Sequence, residues 1–272
     1  MNSRADELEL VSRIQNSRKY RSVGIPEETI LDVFRRENRN SSDPAEALRR
    51  TKTKLHNIMA LYLGDIEYDR AGNELKQAFS RDDAPAVAQI CRRILEQHHS
   101  TRERLPYYGP FFQTIQDVCG RLEVLLDLAC GFNPFALPFI NLLAGIRYHA
   151  YDIHRPRVEL INLFFRLSGW QALAEKRDVL VSPPKVNADA AILLKEAHRM
   201  EKRRAGSSRE LVLALDARVV FISLPNRSMD GKRDLRGRML ALMQGICGPD
   251  LTVSGRQEFP AETLFWLRKK NG

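Results

Sequence analysis

The residues best suited to chemistry follow two short apolar runs in the middle of the chain. The run Leu125-Leu126-Asp127-Leu128 leads into Ala129-Cys130-Gly131-Phe132-Asn133-Pro134, which predicts a buried strand and then a tight turn containing glycine. A second run, Tyr148-His149-Ala150-Tyr151, ends in Asp152 about 20 residues after that glycine. Glycine lets the backbone approach a ligand closely, and a carboxylate accepts hydrogen bonds from ribose hydroxyls. This arrangement predicts a site for a nucleoside cofactor.

The number of glycines in the turn indicates which cofactor the site holds. A dinucleotide fingerprint has three glycines that make room for a pyrophosphate, whereas this turn has one. The pattern therefore favours S-adenosylmethionine over NAD. A strand followed by a single glycine is also common in plain turns, so the motif needs support from the rest of the chain.

The neighbouring Asn133-Pro134-Phe135 suggests a second interpretation. It resembles the Asn-Pro-Pro-aromatic motif of enzymes that methylate exocyclic amines. That motif belongs after the fourth strand, and this one follows the first predicted strand. We therefore interpret it as part of the cofactor loop.

The elements that must position these residues alternate between strands and helices from about residue 106 onward. Helical patterns such as Arg157–Leu167 separate short apolar runs, which indicates βαβ units and a mostly parallel sheet. The predicted strands are Val124–Leu128, Tyr148–Tyr151, Ala190–Leu194, Val219–Ser223 and Leu264–Leu267. Ligands of such sheets bind at the carboxyl ends of the strands. Gly131, Asp152, Asp178 and Lys195 follow predicted strand ends and are expected to converge.

The first part of the chain has a helical period throughout. Apolar residues recur at steps of three and four, and Pro26-Glu27-Glu28, Asp43-Pro44 and Ala84-Pro85 have the composition of helix starts. We predict an α/β fold with two domains: an all-helical domain over 1–105 and a cofactor-binding domain over 106–272.

Charge and cysteine content limit the class of protein. The chain has 43 basic and 34 acidic residues, a net charge of +9, which favours a polyanionic partner, nucleic acid ahead of membrane. An ordinary basic enzyme has a similar balance. Its four cysteines form no CxxC pair, and His98-His99 lacks partners at metal-ligand spacing, so we expect no metal site. The chain has no signal-peptide core and no run of about 18 apolar residues, so we expect a cytoplasmic protein with no membrane partner. We also expect a monomer.

Several blocks along nearly the whole chain together carry a family resemblance. The most specific blocks are Ser100-Thr101-Arg102-Glu103-Arg104 and Asp127-Leu128-Ala129-Cys130-Gly131-Phe132-Asn133-Pro134. The other matching blocks are Ser17-Arg18-Lys19-Tyr20, Arg50 to His56, Asp152-Ile153, Asp178-Val179, Leu193-Leu194-Lys195, Glu201, and Ser223 to Ser228. With these blocks the chain resembles one enzyme family, the 16S rRNA (guanine-1405-N7) methyltransferases that give aminoglycoside resistance to antibiotic-producing actinomycetes and to pathogens.

The resemblance implies a class I methyltransferase fold, S-adenosylmethionine as cofactor, and an appended helical domain that docks on the 30S subunit. It places Arg104 near the methionine carboxylate of the cofactor, with Ala129 and Gly131 lining the pocket. It assigns the ribose hydroxyls to Asp152 and the adenine to Asp178 and Val179, and it places Ile153 among the cofactor-binding residues. Lys195 and Glu201 match positions that the family needs for activity. The residues alone leave an alternative open for each: Lys195 as a solvated strand end, Glu201 as a surface acid on a helix, and Asp178 as a turn acid.

Basic residues in two regions are candidates for contact with rRNA phosphates. The loop after the last parallel strand carries Arg227, Lys232, Arg233 and Arg236, and the helical domain carries Arg18, Lys19, Lys52 and Lys54. A solvated surface is the alternative for both groups. Residues 1–105 hold 19 bases and 17 acids, so any RNA surface there must be a patch.

The chain departs from the family pattern at two places. Family members usually have an apolar pair such as Leu-Pro after the position of Lys195, and this chain has Glu196-Ala197-His198. After Ser228 the family shows Gly-Arg, then Gly-Met, then an aromatic residue. Here Arg238 separates Gly237 from Met239, and no Tyr or Trp is near. A different rRNA or tRNA target, and a non-catalytic RNA-binding protein, therefore stand as alternatives.

Overall fold

A seven-stranded sheet, in the order β3-β2-β1-β4-β5-β7-β6, forms the centre of the protein. The computed structural model describes residues 4–18, 20–21, 23–60, 66–142 and 145–270. The strands are β1 (Val124–Leu128), β2 (Arg147–Asp152), β3 (Ala174–Lys176), β4 (Ala188–Leu194), β5 (Ala217–Pro225), β6 (Leu251–Glu258) and β7 (Glu262–Lys269). Strands β1 to β5 are parallel, and β7 pairs antiparallel with both β5 and β6.

The described part of the chain contains eleven α-helices, seven before β1 in the sequence and four after β2. They are α1 (Arg4–Gln15), α2 (Glu27–Arg39), α3 (Pro44–Met59), α4 (Tyr68–Ser80), α5 (Ala84–Gln97), α6 (His99–Arg104), α7 (Tyr108–Cys119), α8 (Arg155–Leu167), α9 (Ala197–Arg203), α10 (Ser207–Ala214) and α11 (Arg236–Cys247). None of those described helices is both long and apolar enough to cross a membrane.

The predicted elements are present because their local signals are strong. Asp43 accepts a hydrogen bond from the amide of Ala45 at the start of α3, and Asp83 does the same for Ala86 at the start of α5. All five predicted strands are confirmed. The two additional strands, β3 and β6, lack an apolar signal, because β3 has three residues and most of β6 is exposed.

Three clusters of buried apolar side chains stabilise the fold. One covers the sheet face contacted by α4, α5, α7 and α8, and a second covers the face contacted by α9, α10 and α11. A third cluster belongs to α1, α2 and α3, with Ile153 packed against it. Helices α4 and α5 thus share a core with the sheet, while α1 to α3 have their own. The predicted domain boundary at residue 105 stays a prediction.

Candidate active site

The turn after β1 has an unusual backbone conformation. Ala129 and Gly131 adopt positive φ angles of 53° and 56°, and Lys195, directly after β4, has a φ of 55°. Such a conformation costs an L residue about 1–2 kcal/mol, so it is kept where the surroundings require it. All three residues line cavities at the carboxyl ends of the strands. Of the four residues that the sequence predicted to converge, Gly131 and Lys195 line one of these cavities, Asp178 lines the other, and Asp152 lines neither.

Asp152 fastens the turn to the end of β2. Its Oδ2 accepts hydrogen bonds from the amide of Gly131 at 3.1 Å and from Arg157 Nη1 at 3.2 Å, and its Oδ1 accepts one from the amide of His154 at 2.9 Å. The side chain is buried and lines neither cavity. A ribose hydroxyl would therefore have to share or replace one of these donors, and the ribose role of Asp152 stays a prediction.

Two adjoining cavities, of about 570 and 740 Å³, lie over this edge of the sheet. We call them the outer cavity and the inner cavity. Of the predicted site residues, the outer cavity is lined by Ala129, Ile153, Asp178, Val179 and Lys54. The inner cavity is lined by Arg104, Ala129, Gly131, Lys195, Glu201, Arg227 and Arg233. Helices α2 and α3 supply part of the outer wall, so the helical region closes one side of the site.

Arg104 is held by a buried ion pair that the sequence did not reveal. Its Nε and Nη2 donate to the two carboxylate oxygens of Glu262 at 2.8 and 2.7 Å, and both side chains are at most 1% exposed. Burial alone would raise the pKa of Glu262, but the charge and hydrogen bonds of Arg104 outweigh it and keep that pKa below its usual value. The one signal for this ion pair in the sequence is that the apolar strand β7 begins with an acid, Glu262.

The two predicted catalytic residues have definite partners. Lys195 is buried, and its Nζ donates to Glu103 Oε2 at 2.6 Å. The carboxylate of Glu201 accepts from the amides of Gly206 and Ser208, both at 2.7 Å, at the start of α10. Glu201 therefore supports the backbone beside the inner cavity as well as lining it. The catalytic assignment of both residues stays a prediction.

Asp178 joins the cofactor side of the sheet to the helical region. Its Oδ2 accepts from Thr29 Oγ1 of α2 at 2.8 Å and from Arg203 Nη2 of α9 at 2.6 Å. Arg203 also reaches Asp32 of α2 at 3.4 Å. This polar bridge fixes α2 against the outer cavity. The predicted adenine contacts of Asp178 and Val179 would lie beside it.

Several groups that line the inner cavity, or contact a residue that lines it, have shifted pKa values or lack hydrogen-bond partners. The Oδ1 of Asn133 is buried without a hydrogen-bond partner, while its Nδ2 donates to Asp127 at 2.8 Å. Burial raises the pKa of Asp127 to about 7, although Tyr148 and Asn133 donate to it. Burial, assisted by nearby cations, lowers the pKa of His198 to about 4, so its imidazole is neutral at pH 7.

These observations are a good match for S-adenosylmethionine. An unpaired amide oxygen and a guanidinium line the inner cavity, and a glycine turn lies between that cavity and the end of β2. Such groups can bind the amino and carboxylate ends of an amino acid. No cluster of three or more potential metal ligands occurs in the ranges that the structure describes.

The predicted RNA contacts divide into cations with and without an ion pair among the described residues. Arg227 and Arg233 line the inner cavity, and Lys232 is exposed beside them. Arg236 instead pairs with Asp234 at 2.7 Å. On α3, Lys54 pairs with Glu37 at 2.5 Å, whereas Lys52 is exposed and lines a separate cavity beside α1. Arg18 is exposed after α1, and Lys19 lies outside the described residues.

The strand order and the site together define the class. The sheet has five parallel strands, β7 lies antiparallel between β5 and β6, and a glycine turn follows β1. These are the features of class I S-adenosylmethionine-dependent methyltransferases. The prediction of this fold class is confirmed. Asn133 follows β1, as the interpretation of Asn133-Pro134-Phe135 as a cofactor loop requires.

Comparisons with known proteins give the family. Residues 16–244 match the family model described as ribosomal RNA methyltransferase (FmrO). The 16S rRNA (guanine(1405)-N(7))-methyltransferase of Frankia casuarinae is 33% identical over 219 residues, which cover 79% of this chain and 77% of that protein. The enzyme of the same name from Serratia marcescens is 28% identical and covers 96% and 98%. This chain belongs to the ribosomal RNA methyltransferase family.

A solved structure agrees with this assignment. The 16S rRNA methyltransferase RmtF, in complex with S-adenosyl-L-homocysteine, is 26% identical and superposes with a TM-score of 0.75. The superposition covers 99% of this chain and 100% of that protein. The likeness includes the helical region as well as the sheet.

Replacing Asp152 with alanine is expected to weaken S-adenosylmethionine binding by at least about tenfold. The change removes the acceptor for the Gly131 amide and a hydrogen-bonded charge, each worth about 1.5–3 kcal/mol. Isothermal titration calorimetry measures the affinity. Glu175→Ala, which removes an exposed acid from β3, is the matched control and should bind normally. Unchanged affinity in a folded Asp152→Ala protein would contradict the assignment.

Proposed function

We propose that this protein transfers a methyl group from S-adenosylmethionine to N7 of guanine 1405 in 16S rRNA within the assembled 30S subunit. The modification would confer resistance to aminoglycosides that bind at that nucleotide. The observation that carries the proposal is family membership over residues 16–244 together with the basic inner cavity. A protein with this substrate would act in the cytoplasm, and we propose that it acts as a monomer.

The chemistry makes few demands on the protein. The cofactor supplies an electrophilic methyl group for in-line displacement, and guanine N7 has a lone pair and no proton to lose. A general base is unnecessary, so the protein contributes position and electrostatics. Lys195 Nζ donates to Glu103, and the pKa of His198, lowered to about 4 by burial, makes its imidazole a weak base. Both agree with a reaction that needs no general base.

The layout of the site supports a substrate base entering from the loop side. The inner cavity opens between the turn after β1 and the loop over 226–235, where Arg227 and Arg233 are available to phosphates. A base must leave its stack to reach such a cavity, at a cost of a few kcal/mol. We assign the outer cavity to the adenosine and the glycine-turn side of the inner cavity to the methionine.

The deciding experiment is methyl transfer from labelled S-adenosylmethionine to purified 30S subunits. Free 16S rRNA and tRNA serve as parallel substrates, and strand cleavage at 7-methylguanine maps the product. Labelling of 30S alone, with one cleavage at guanine 1405, is the expected result.

Other outcomes correspond to the alternative functions. A single cleavage elsewhere in 16S rRNA, or labelling of tRNA, would assign a different target to the altered loop after Ser228. Cofactor binding without transfer to any RNA would contradict an enzymatic role and favour a non-catalytic RNA-binding protein.

A further inference from the structure

Glu196 occupies the junction of the two cavities. Among the described residues, it is the one carboxylate that lines both the outer and the inner cavity. It lies one residue beyond Lys195, whose positive φ turns the chain at the end of β4, and it precedes α9. Ala129, at the corresponding turn after β1, lines both cavities too. A ligand that extends from one cavity into the other must therefore pass beside this carboxylate.

Few hydrogen bonds from the protein satisfy the carboxylate of Glu196. Its one polar side-chain contact in the described chain is with Arg199 Nη1 at 3.5 Å, at the limit of a hydrogen bond. By contrast, Asp152 accepts three hydrogen bonds and Glu262 forms a bidentate ion pair. Glu196 therefore keeps an acceptor capacity for a ligand that Asp152 and Glu262 do not.

We propose that the Glu196 carboxylate is the counter-charge to the sulfonium of S-adenosylmethionine, and that it makes the protein prefer this cofactor to its product S-adenosylhomocysteine. The inference rests on the proposed placement of the cofactor. Adenosine in the outer cavity and methionine in the inner cavity put the sulfur at their junction, beside Glu196. S-adenosylmethionine carries a positive charge on sulfur, and the product thioether is neutral. A carboxylate at that point distinguishes the two by charge alone.

The proposal also gives a pH dependence. Burial raises the pKa of Glu196 to about 7, because it outweighs the opposing charge of Arg199. Other charges near the group are Asp152 at the end of β2, Arg157 of α8 and Arg203 of α9. Lys202 of α9, like Arg199, lines both cavities beside Glu196. The ionised fraction of the carboxylate therefore increases between pH 6 and pH 8. The preference for the sulfonium should therefore increase over this interval.

The test is calorimetric titration of Glu196→Gln and the unaltered protein with both ligands at pH 6 and pH 8. In the unaltered protein, the ratio of the Kd of S-adenosylhomocysteine to that of S-adenosylmethionine should be higher at pH 8. In Glu196→Gln the ratio should fall roughly five- to tenfold at pH 8 and vary little with pH. Groups common to both ligands cancel in this ratio. Sinefungin, which has an ammonium in place of the methyl sulfonium, should follow S-adenosylmethionine.

Glu37→Gln is the matched control, because it makes the same replacement at a glutamate that lines the outer cavity and not the inner one. It should leave the ratio of the two affinities unchanged. An equal loss of affinity for both ligands in Glu196→Gln would overturn the proposal, since a structural or ribose-binding role predicts that result. Failure of the unaltered protein to bind S-adenosylmethionine would overturn the cofactor placement itself, and the proposal with it.

Discussion

Replacing Arg104 with alanine is expected to lower the free energy of unfolding by about 3–5 kcal/mol. The substitution leaves Glu262, which is fully buried, without the guanidinium that compensates its charge. It also removes the packing of Arg104 over the rings of Tyr108 and Phe111. Urea unfolding followed by circular dichroism at pH 7 measures the loss. This is the largest effect on stability that we predict for a single residue.

A double variant separates the structural role of Arg104 from its predicted role in cofactor binding. Arg104→Met with Glu262→Met removes both charges, and an apolar pair of similar volume often restores stability. We expect this variant to fold with most of the lost stability recovered, yet to bind S-adenosylmethionine at least about tenfold more weakly. Normal cofactor affinity in the folded double variant would contradict a contact between Arg104 and the methionine carboxylate.

Reversing the charge of Arg233 is expected to weaken binding to 30S subunits by about tenfold or more without changing the affinity for S-adenosylmethionine. Arg233 lines the inner cavity on the loop side and has no ion pair among the described residues, so its charge is available to an RNA phosphate. Loss of one phosphate contact should also lower the slope of log affinity against log salt concentration by about 1. Filter binding over a series of salt concentrations measures both quantities.

Arg236→Glu is the comparison variant for this experiment. Arg236 lies three residues further on, but it is paired with Asp234 and does not line the cavity. We expect it to have a smaller effect on 30S binding than Arg233→Glu. Equal effects would show that the net charge of the loop matters and the position of Arg233 does not. If both variants bind 30S subunits as tightly as the unaltered protein, the loop is not part of the RNA interface.

The fold was largely predictable because its signals are local. Apolar runs of four or five residues mark β1, β2, β4, β5 and β7, and acidic caps mark α3 and α5. Strands β3 and β6 could not be found, because one is very short and the other lies exposed at the sheet edge. The convergence of Gly131 and Lys195 followed from the rule that parallel strands end at one edge.

The partners of the site residues were beyond the reach of the sequence. Arg104 and Glu262 are 158 residues apart, and Thr29 and Asp178 are 149 apart. No periodicity joins positions at such separations, and each residue alone resembles an ordinary surface group. Glu196 was visible as a departure from the family pattern, but its place at the junction of two cavities depends on how two strands end side by side.

The Arg104–Glu262 ion pair also sets the order in which the protein can mature during translation. Arg104 is synthesised 158 residues before its partner, so every nascent chain passes through a long interval in which this guanidinium has no counter-ion. The segment around α6 must stay hydrated until β7 is made, since burying the lone charge is too costly. A chain that ends before residue 262 therefore leaves Arg104 without the carboxylate that compensates its charge.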